Sequence, residues 1–350
     1  MKNNTPKVSI CLVTWNSFKF LPHLFESIFS QTVILKKDYD IKISINVVDS
    51  GSADESVSFL QKNYPECHIL KNTHNLGFAR SYNQAIRMSQ ADYVLVLNAD
   101  IVLEDDYLEK LLEVIKKDKK IAAVSGKLKR AHFTRGENSD IDNVKKTNII
   151  DSFGLEIKRN RRFINIGEGQ EDVGQYDKLE QVFGFAAAAV LFSRAALEEV
   201  RYNNQYFDED FFAYKEDIDL AWRFNIAGFK SVLVKETSAY HFRSAKNNIQ
   251  SSSFKIASSY KSKNKLIRQH SYKNHLLLLI KNETKRNFIK DSPFIFWYEF
   301  RKFIYLLIFD LKTLFGIKSV IKLISQMRRK RKELFRHRKV NAEKIRKWIK

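Results

Sequence analysis

ADYVLVLNADIVLEDD, residues 91–106, is the stretch from which the fold can be read. Its first half, Tyr93-Val94-Leu95-Val96-Leu97, is apolar at consecutive positions, which describes a strand buried on both faces and far too short to cross a bilayer. The strand stops at Asn98-Ala99-Asp100. In an open parallel sheet ligands bind beyond the carboxyl ends of the strands, so a carboxylate at that edge is placed to meet a cation and a phosphate. Asp100, with the Asn98 amide oxygen two residues before it, offers hard oxygen donors to a divalent metal. Asn and Asp also end strands in plain turns, so the motif alone leaves both readings open.

The flanking sequence repeats the pattern. Val8 to Val13 reads as a buried strand ending at Thr14-Trp15-Asn16, followed by a helix with Leu21, Leu24, Phe25, Ile28 and Phe29 on one stripe. A second apolar run, Ile41 to Val48, ends at Asp49-Ser50-Gly51-Ser52, and Asp54 to Leu60 begins another helix. Strands alternating with helices through short polar joints predict an α/β domain with a mainly parallel sheet. Asp49 therefore stands at the same kind of edge as Asp100. His74-Asn75-Leu76-Gly77 opens a helix whose free N–H groups, beside a residue without a Cβ, suit a phosphate. Arg80, in its first turn, has the wrong sign for the helix dipole, and an anionic ligand would account for it.

Beyond the central stretch, Tyr107 to Ile115 is expected to be helical and Ile121 to Ser125 a strand. Residues 131–150 read as a flexible polar loop bordering the site, and residues 167–177, GEGQEDVGQYD, as a second loop. Residues 207–223, FDEDFFAYKEDIDLAWR, form a second acidic centre. Ile218, Ala221 and Trp222 give a helical stripe that puts Glu216 and Asp217 in the first turn, where dipole effects alone favour acids. Asp219 and Arg223 form an i,i+4 pair of structural type. A last strand, Lys230 to Val234, precedes Tyr240-His241-Phe242.

At 350 residues the chain should form two domains, or one large domain with an appendage. No apolar run reaches the ~18 residues of a membrane span, and Lys2 followed by polar residues and Pro6 lacks a signal-peptide pattern, so a cytoplasmic location is expected. The two cysteines have no disulfide-framework or zinc spacing. Charge is segregated: residues 243–350 hold 29 Lys and Arg against 6 Asp and Glu, a net of +23, and the remaining residues sum to −2. A near-neutral body with a basic, aromatic-rich tail suits an anionic partner, either a membrane leaflet or nucleic acid. In Phe294 to Ile324 the charges are too frequent for a spanning helix and acceptable for one lying at an interface, with Arg328-Arg329-Lys330-Arg331-Lys332 facing headgroups. No nucleic-acid motif accompanies the charge, so nucleic acid is not expected.

Taken in order, Val8 to Asn16 (VSICLVTWN), Val47 to Ser52 (VVDSGS), Asn75 to Ala85 (NLGFARSYNQA), Leu97 to Asp100 (LNAD), Gly167 to Asp177, Glu216 to Arg223 (EDIDLAWR) and His241 resemble the inverting family 2 glycosyltransferases of GT-A fold. Within them they resemble the bacterial rhamnosyltransferase-like branch, over about residues 7–245. The resemblance implies a Rossmann-like α/β catalytic domain with a mainly parallel sheet at 1–245, its nucleotide-sugar half at 1–100 and acceptor half at 101–245. A basic, amphipathic helical C-terminal region would follow at 246–350. It assigns nucleotide-sugar binding to Thr14, Asn16, Asp49, Gly77, Arg80 and Asn98, with Asp49 on the pyrimidine imide. Mn²⁺ or Mg²⁺ would be held by Asp100 and His241, Asp217 would be the catalytic base, and Glu216 and Trp222 would lie on the acceptor and sugar side. The implied reaction moves a hexosyl group, rhamnosyl from dTDP-rhamnose first, to a polysaccharide or lipid-linked saccharide. The place implied is the inner face of the cell membrane, peripherally bound through the C-terminal region. The same chemistry with UDP-GlcNAc, UDP-galactose or UDP-glucose is the alternative, and a non-catalytic basic membrane or RNA adaptor a more distant one. A sugar-phosphate nucleotidyltransferase would carry a Gly-rich, Arg-containing loop after the first strand, and Thr14-Trp15-Asn16-Ser17 has neither residue.

Overall fold

The structure, a computed structural model, describes residues 5–35, 40–136, 139–242 and 265–350. Residues 243–264, and with them the start of the predicted C-terminal region, lie outside the described residues, as do residues 137 and 138 of the predicted 131–150 loop.

Strands β1 (Lys7–Thr14), β2 (Lys42–Asp49), β3 (His68–Lys71) and β4 (Tyr93–Asn98) build a parallel half-sheet, with β1 between β2 and β4. Its continuation uses β5 (Ile101–Leu103), the hairpin β6 (Ile121–Gly136) and β7 (Ser139–Ser152), then β8 (Leu155–Ile157) and β9 (Phe163–Asn165), which pair separately. Strands β10 (Gln181–Val182), β11 (Ala189–Ser193) and β12 (Lys230–Phe242) complete the order β10-β12-β6-β11-β4-β1-β2-β3. Strand β11 runs antiparallel between β4 and β6, whereas β12 is parallel to β6.

The helices placed around this sheet are α1 (Leu21–Phe29), α2 (Thr32–Leu35), α3 (Ser56–Asn63), α4 (Phe78–Arg87), α5 (Tyr107–Ile115), α6 (Arg194–Val200) and α7 (Glu216–Ile226). Alternate side chains of β4 feed two cores. Leu95 and Leu97 meet Leu24 and Ile28 of α1 and Leu108 and Leu111 of α5. Val94 and Val96 meet Ala79 and Tyr82 of α4 and Leu220 and Phe224 of α7. A strand buried on both faces must be apolar at every position, which is why this run shows no alternation.

The predicted 131–150 loop is instead the outer part of the β6–β7 hairpin, and β6 continues well past Ser125. Its exposed positions carry the charges that hid the strand, while Leu128 and Ala131 face inward. Lys127 and Lys129 reach Asp172 at 3.1 and 3.0 Å, pinning the 167–177 loop to this hairpin.

Helices α8 (Lys265–Asn282), α9 (Lys285–Phe309), α10 (Leu311–Leu314), α11 (Gly316–Arg336) and α12 (Ala342–Arg346) follow. They seat on the outer face of α7, where Ile218, Trp222 and Ile226 pack with Leu277 and Leu278 of α8 and Val320 and Met327 of α11. No helix of the described residues is long and apolar enough to cross a membrane.

Candidate active site

Three carboxyl strand ends lie side by side, because Thr14 pairs with Asp49 and Val13 with Asn98. At the β2 end, Asp49 is fully buried and accepts from Thr14 Oγ1 at 2.9 Å, from the N–H groups of Gly51 and Ser52 at 3.1 and 3.0 Å, and from the Ser52 hydroxyl. Four donors saturate a carboxylate. The residue predicted to take a pyrimidine imide is therefore, in this structure, the internal acceptor of its own loop. Asn16 completes the unit: its N–H donates to Ser52 Oγ at 2.9 Å and its Oδ1 accepts from Ala53 N–H at 2.8 Å. The structure thus brings Thr14, Asn16 and Asp49 together, and what faces outward between them is Trp15, 55% exposed. Sequence reading passed over Trp15, although an aromatic residue at a strand's polar end is a signal in itself, since a ring with one open face suits a planar base.

At the β4 end, the Tyr82 hydroxyl donates to Leu97 O at 2.6 Å and lies 3.2 Å from Asn98 Oδ1. Burial, then the nearby Asp100, pushes this phenol well above its usual range, and Glu216 adds to the effect. Tyr82 therefore lies within the fields of both acidic centres, a bridging position that its place in a helical apolar stripe concealed. Asp100 is part exposed and its Oδ2 lies 3.2 Å from His241 Nε2, because β12 pairs with β5 at His241 and Ile101. The other ring nitrogen, Nδ1, lies 2.9 Å from Asp151, which is fully buried. Burial opposes charge on the ring, but Asp100 and Asp151 outweigh it and raise the imidazole to about 9. Asp151 was not foreseen, since nothing in the sequence of β7 links it to a histidine 90 residues later.

These residues fit a divalent metal, which would take the place of the proton on His241 Nε2. The two donors are 3.2 Å apart, close to the edge of an octahedron with bonds of ~2.1 Å, and one is an imidazole, which favours Mn²⁺ over Mg²⁺. A carboxylate on the far nitrogen is the usual means of aiming a ligating imidazole. Among the described residues no cluster of three or more His, Cys, Asp or Glu side chains forms a cage, so diphosphate oxygens and water would complete the shell.

The third component is α7 and the segment before it. Phe212, Tyr214 and Lys215 all have positive φ, at 61°, 72° and 73°, a conformation costly for residues with a Cβ and concentrated at functional sites. The Phe212 carbonyl accepts from Ala79 N–H at 3.0 Å, and a Cβ on Gly77 would fall 2.6 Å from the Phe212 ring. The space beside Gly77 that was expected to admit a phosphate is thus filled by Phe212, and the glycine serves close packing. Arg80 is exposed and makes no ion pair or hydrogen bond among the described residues.

Asp217 is part exposed, and its carboxylate accepts from Ile218 N–H at 2.7 Å and from the Ala187 N–H. Burial raises its proton affinity against these bonds and against Lys215. Because Asn98 N–H donates to Ala188 O at 2.8 Å, Asp217 sits one residue along from the contact at the β4 edge. Glu216 is buried rather than facing an acceptor, with Oε2 unbonded among the described residues, and burial followed by the Asp217 charge drives its carboxyl well above the usual range. Trp222 is likewise no sugar-side residue. It is fully buried against Phe163 and Phe183, because the stripe with Ile218 and Ile226 faces the C-terminal helices.

Asp219 proves to belong to a larger buried set. It bonds Arg223 at 2.8 Å, Lys281 at 2.7 Å and Asn282 at 2.8 Å, while Lys281 also reaches Asp208 at 2.7 Å, and Lys330 joins Asp208 and Asp210. This network fixes α7, and with it Asp217, to α8 and α11.

The edge therefore combines a rigid loop beside an open aromatic ring, a carboxylate–imidazole pair and a part-exposed acid of raised proton affinity. Such a set can hold a nucleotide, a diphosphate-bound cation and an incoming hydroxyl.

The chain is similar to several known proteins. Chondroitin synthase of Escherichia coli is 30% identical over 122 residues, 34% of this chain and 17% of that protein. Poly-beta-1,6-N-acetyl-D-glucosamine synthase of Staphylococcus aureus (strain COL) is 25% identical over 207 residues, 59% of this chain and 43% of that protein. The chain thus spans less than half the length of either curated relative. The crystal structure of GalNAc-T7 with UDP, GalNAc and Mn²⁺ superposes with a TM-score of 0.56 at 12% identity, covering 80% of this chain and 48% of that one, which shows a shared GT-A fold. Residues 9–201, more than half of the sequence, match the family described as Glycosyl transferase family 2, and the chain belongs to that family.

Proposed function

We propose that this chain is an inverting, metal-dependent glycosyltransferase that moves a hexosyl group from a nucleoside diphosphate sugar to a polysaccharide or lipid-linked saccharide in cell-surface glycan synthesis. The observation that carries the reading is the placement of Asp217, part exposed and of raised proton affinity, beside the strand edge that ends in Asn98 and Asp100. Asp217 takes the proton of the acceptor hydroxyl while that oxygen forms its bond to the anomeric carbon. The bond to the diphosphate breaks on the opposite face, and its electron pair leaves with the nucleotide. Asp100 and His241 would hold a divalent metal, which when bound would supply charge neutralisation to the departing diphosphate. Asp151 aims the imidazole, Asn98 and Tyr82 shape the edge, and Trp15 offers a surface for the base.

Two donor classes remain, each with its own support. The branch resemblance favours dTDP-rhamnose, and the relative named for poly-N-acetylglucosamine synthesis favours a UDP-hexose such as UDP-GlcNAc. The partner surface for an anionic membrane belongs to the C-terminal region, which would make the protein peripheral at the inner face of the cell membrane.

A donor screen tests the reading. dTDP-rhamnose, UDP-GlcNAc, UDP-galactose and UDP-glucose are added with Mn²⁺ or Mg²⁺, and thermal stabilisation and nucleoside diphosphate release are followed. One donor should stabilise the protein and turn over only with metal. Asp217→Asn should keep the stabilisation and lose the turnover. Tight RNA binding with no response to any nucleotide sugar would favour the adaptor reading instead.

A further inference from the structure

Helix α9 buries one face and leaves the opposite one bare. Asn287, Asp291, Ile295 and Leu306 point inward, whereas Phe296, Trp297, Phe300, Ile304, Leu307 and Ile308 are 37 to 64% exposed. With Ile289, the exposed residues recur at three- and four-residue spacing, one stripe about 30 Å long at 1.5 Å per residue. An apolar surface of that extent is rare on a soluble protein without a partner. Both acids of α9 are turned away from the stripe: Asp291 is fully buried on Arg159 and Arg161, and Glu299 lies by His275 on α8. The exposed charges flanking it, Lys290 and Arg301, are cations. Beside the stripe, between α8 and α9, a groove of about 720 Å³ is lined by Tyr272, Leu276, Phe300 and Phe303 among others.

We propose that this outer face of α9 lies in the plane of an anionic lipid leaflet, its aromatic and aliphatic side chains among the acyl chains and its flanking cations at the headgroups. The inference rests on the membrane reading of the C-terminal region and deepens it by naming the contact. Charge complementarity selects the occupant: a second copy of the chain would bring cations against cations, and an anionic leaflet neutralises them. The tryptophan at mid-stripe suits the headgroup boundary. Of the basic run at 328–332, two residues are spent inside the protein, while Arg328, Arg329 and Lys332 stay exposed. Lys330 is buried on Asp208 and Asp210, and Arg331 bonds the carbonyls of Ile280 and Lys281. Underneath, His270 of α8 stacks on Phe212 at 5.0 Å, so the docked face stands one helix away from the segment that leads into Asp217.

The test is co-sedimentation of the full chain with vesicles of phosphatidylglycerol and phosphatidylethanolamine, against vesicles of phosphatidylcholine alone. Wild type should pellet with the anionic vesicles only, and Phe300→Glu/Ile304→Glu should lower partitioning at least about tenfold. That variant should leave the thermal midpoint, and turnover on a soluble acceptor, unchanged. Quenching of Trp297 by brominated lipid, read against Trp297→Phe, should report insertion. Anionic binding that survives Phe300→Glu/Ile304→Glu but is lost in Arg328→Glu/Arg329→Glu/Lys332→Glu overturns the assignment of the face and keeps the membrane reading. Binding to neither vesicle overturns both. Dimers in light scattering that Phe300→Glu/Ile304→Glu abolishes, without vesicle binding, give the face to a second copy and also overturn the proposal. Donor turnover, measured in parallel, judges the transferase reading separately.

Discussion

Replacing Lys281 by methionine should separate the catalytic body from its C-terminal helices. The Lys281 ammonium is 1% exposed and lies 2.7 Å from both Asp208 and Asp219, which are 4% and 0% exposed. With Arg223, Lys330 and Asp210 the set balances three cations against three acids. Burial opposes ionisation of both carboxyls, yet Lys281, helped by Lys330 at Asp208 and by Arg223 at Asp219, holds each below the usual carboxylate range. Methionine fills the space and removes the charge, leaving one buried acid uncompensated, for which about 3–5 kcal/mol is the expected loss. Asp219→Asn leaves the opposite excess and should also destabilise. The double variant restores neutrality, so its loss should fall short of the sum of the single losses by about 1–3 kcal/mol. Urea denaturation followed by fluorescence suits the question, because Trp222 packs in the interface that the network closes. A loss below about 1 kcal/mol for Lys281→Met, or additivity within about 0.5 kcal/mol in the double variant, would refute the argument.

Asp217→Asn should lower kcat by about 10² to 10⁴ with little change in donor KM. In the wild type, the raised proton affinity of Asp217 means that activity falls as pH drops through its elevated pKa, and this acid limb should vanish from the residual rate of the variant. Asp151→Asn should weaken Mn²⁺ binding in the presence of nucleoside diphosphate by about 10- to 100-fold in calorimetry, since it unseats the imidazole rather than removing a ligand. Gly77→Ala, at φ 79° and against the Phe212 ring, should destabilise by more than about 1 kcal/mol in thermal unfolding, and restoring room with Phe212→Ala should recover part of it. Asp291 is held at about 2 because Arg346, Arg161 and Arg159 outweigh the effect of burial. Its contribution of about 2 kcal/mol is therefore present above about pH 4 and lost as pH falls toward 2, and Asp291→Asn should flatten that part of the urea midpoint against pH.

What was legible in the sequence followed from local rules. The strands β1, β2 and β4 announce themselves as short apolar runs closed by polar turns, and the carboxyl-edge rule then places Asp49, Asp100 and Thr14 without coordinates. The pieces that failed depend on contacts far apart in the chain. Gly77 looked like an open helix start because nothing near it shows that Phe212 will cover it. Trp222 already carried its answer in the spacing with Ile218 and Ile226, and the acidic motif drew it wrongly to the cleft. The 131–150 segment reads as loop since a strand facing solvent with lysines lacks the apolar alternation of a buried one. Asp151, Tyr82 and the partners of Asp219 beyond Arg223, namely Lys281 and Asn282, are tertiary facts that composition cannot supply.

The buried joint between α7 and the last helices has a consequence for the order in which the molecule can mature on the ribosome. Asp219 is synthesised 62 residues before Lys281, and Asp208 122 residues before Lys330. At roughly 5–20 residues per second, the lysines follow the acids by roughly 3 to 24 seconds. In that interval the N-terminal strands can close on local pairings, while in α7 only Arg223 is on hand to balance Asp219. Asp217 is thus held in place by helices made after it, and a nascent chain halted near residue 242 would lack the lysines that join α7 to α8 and α11.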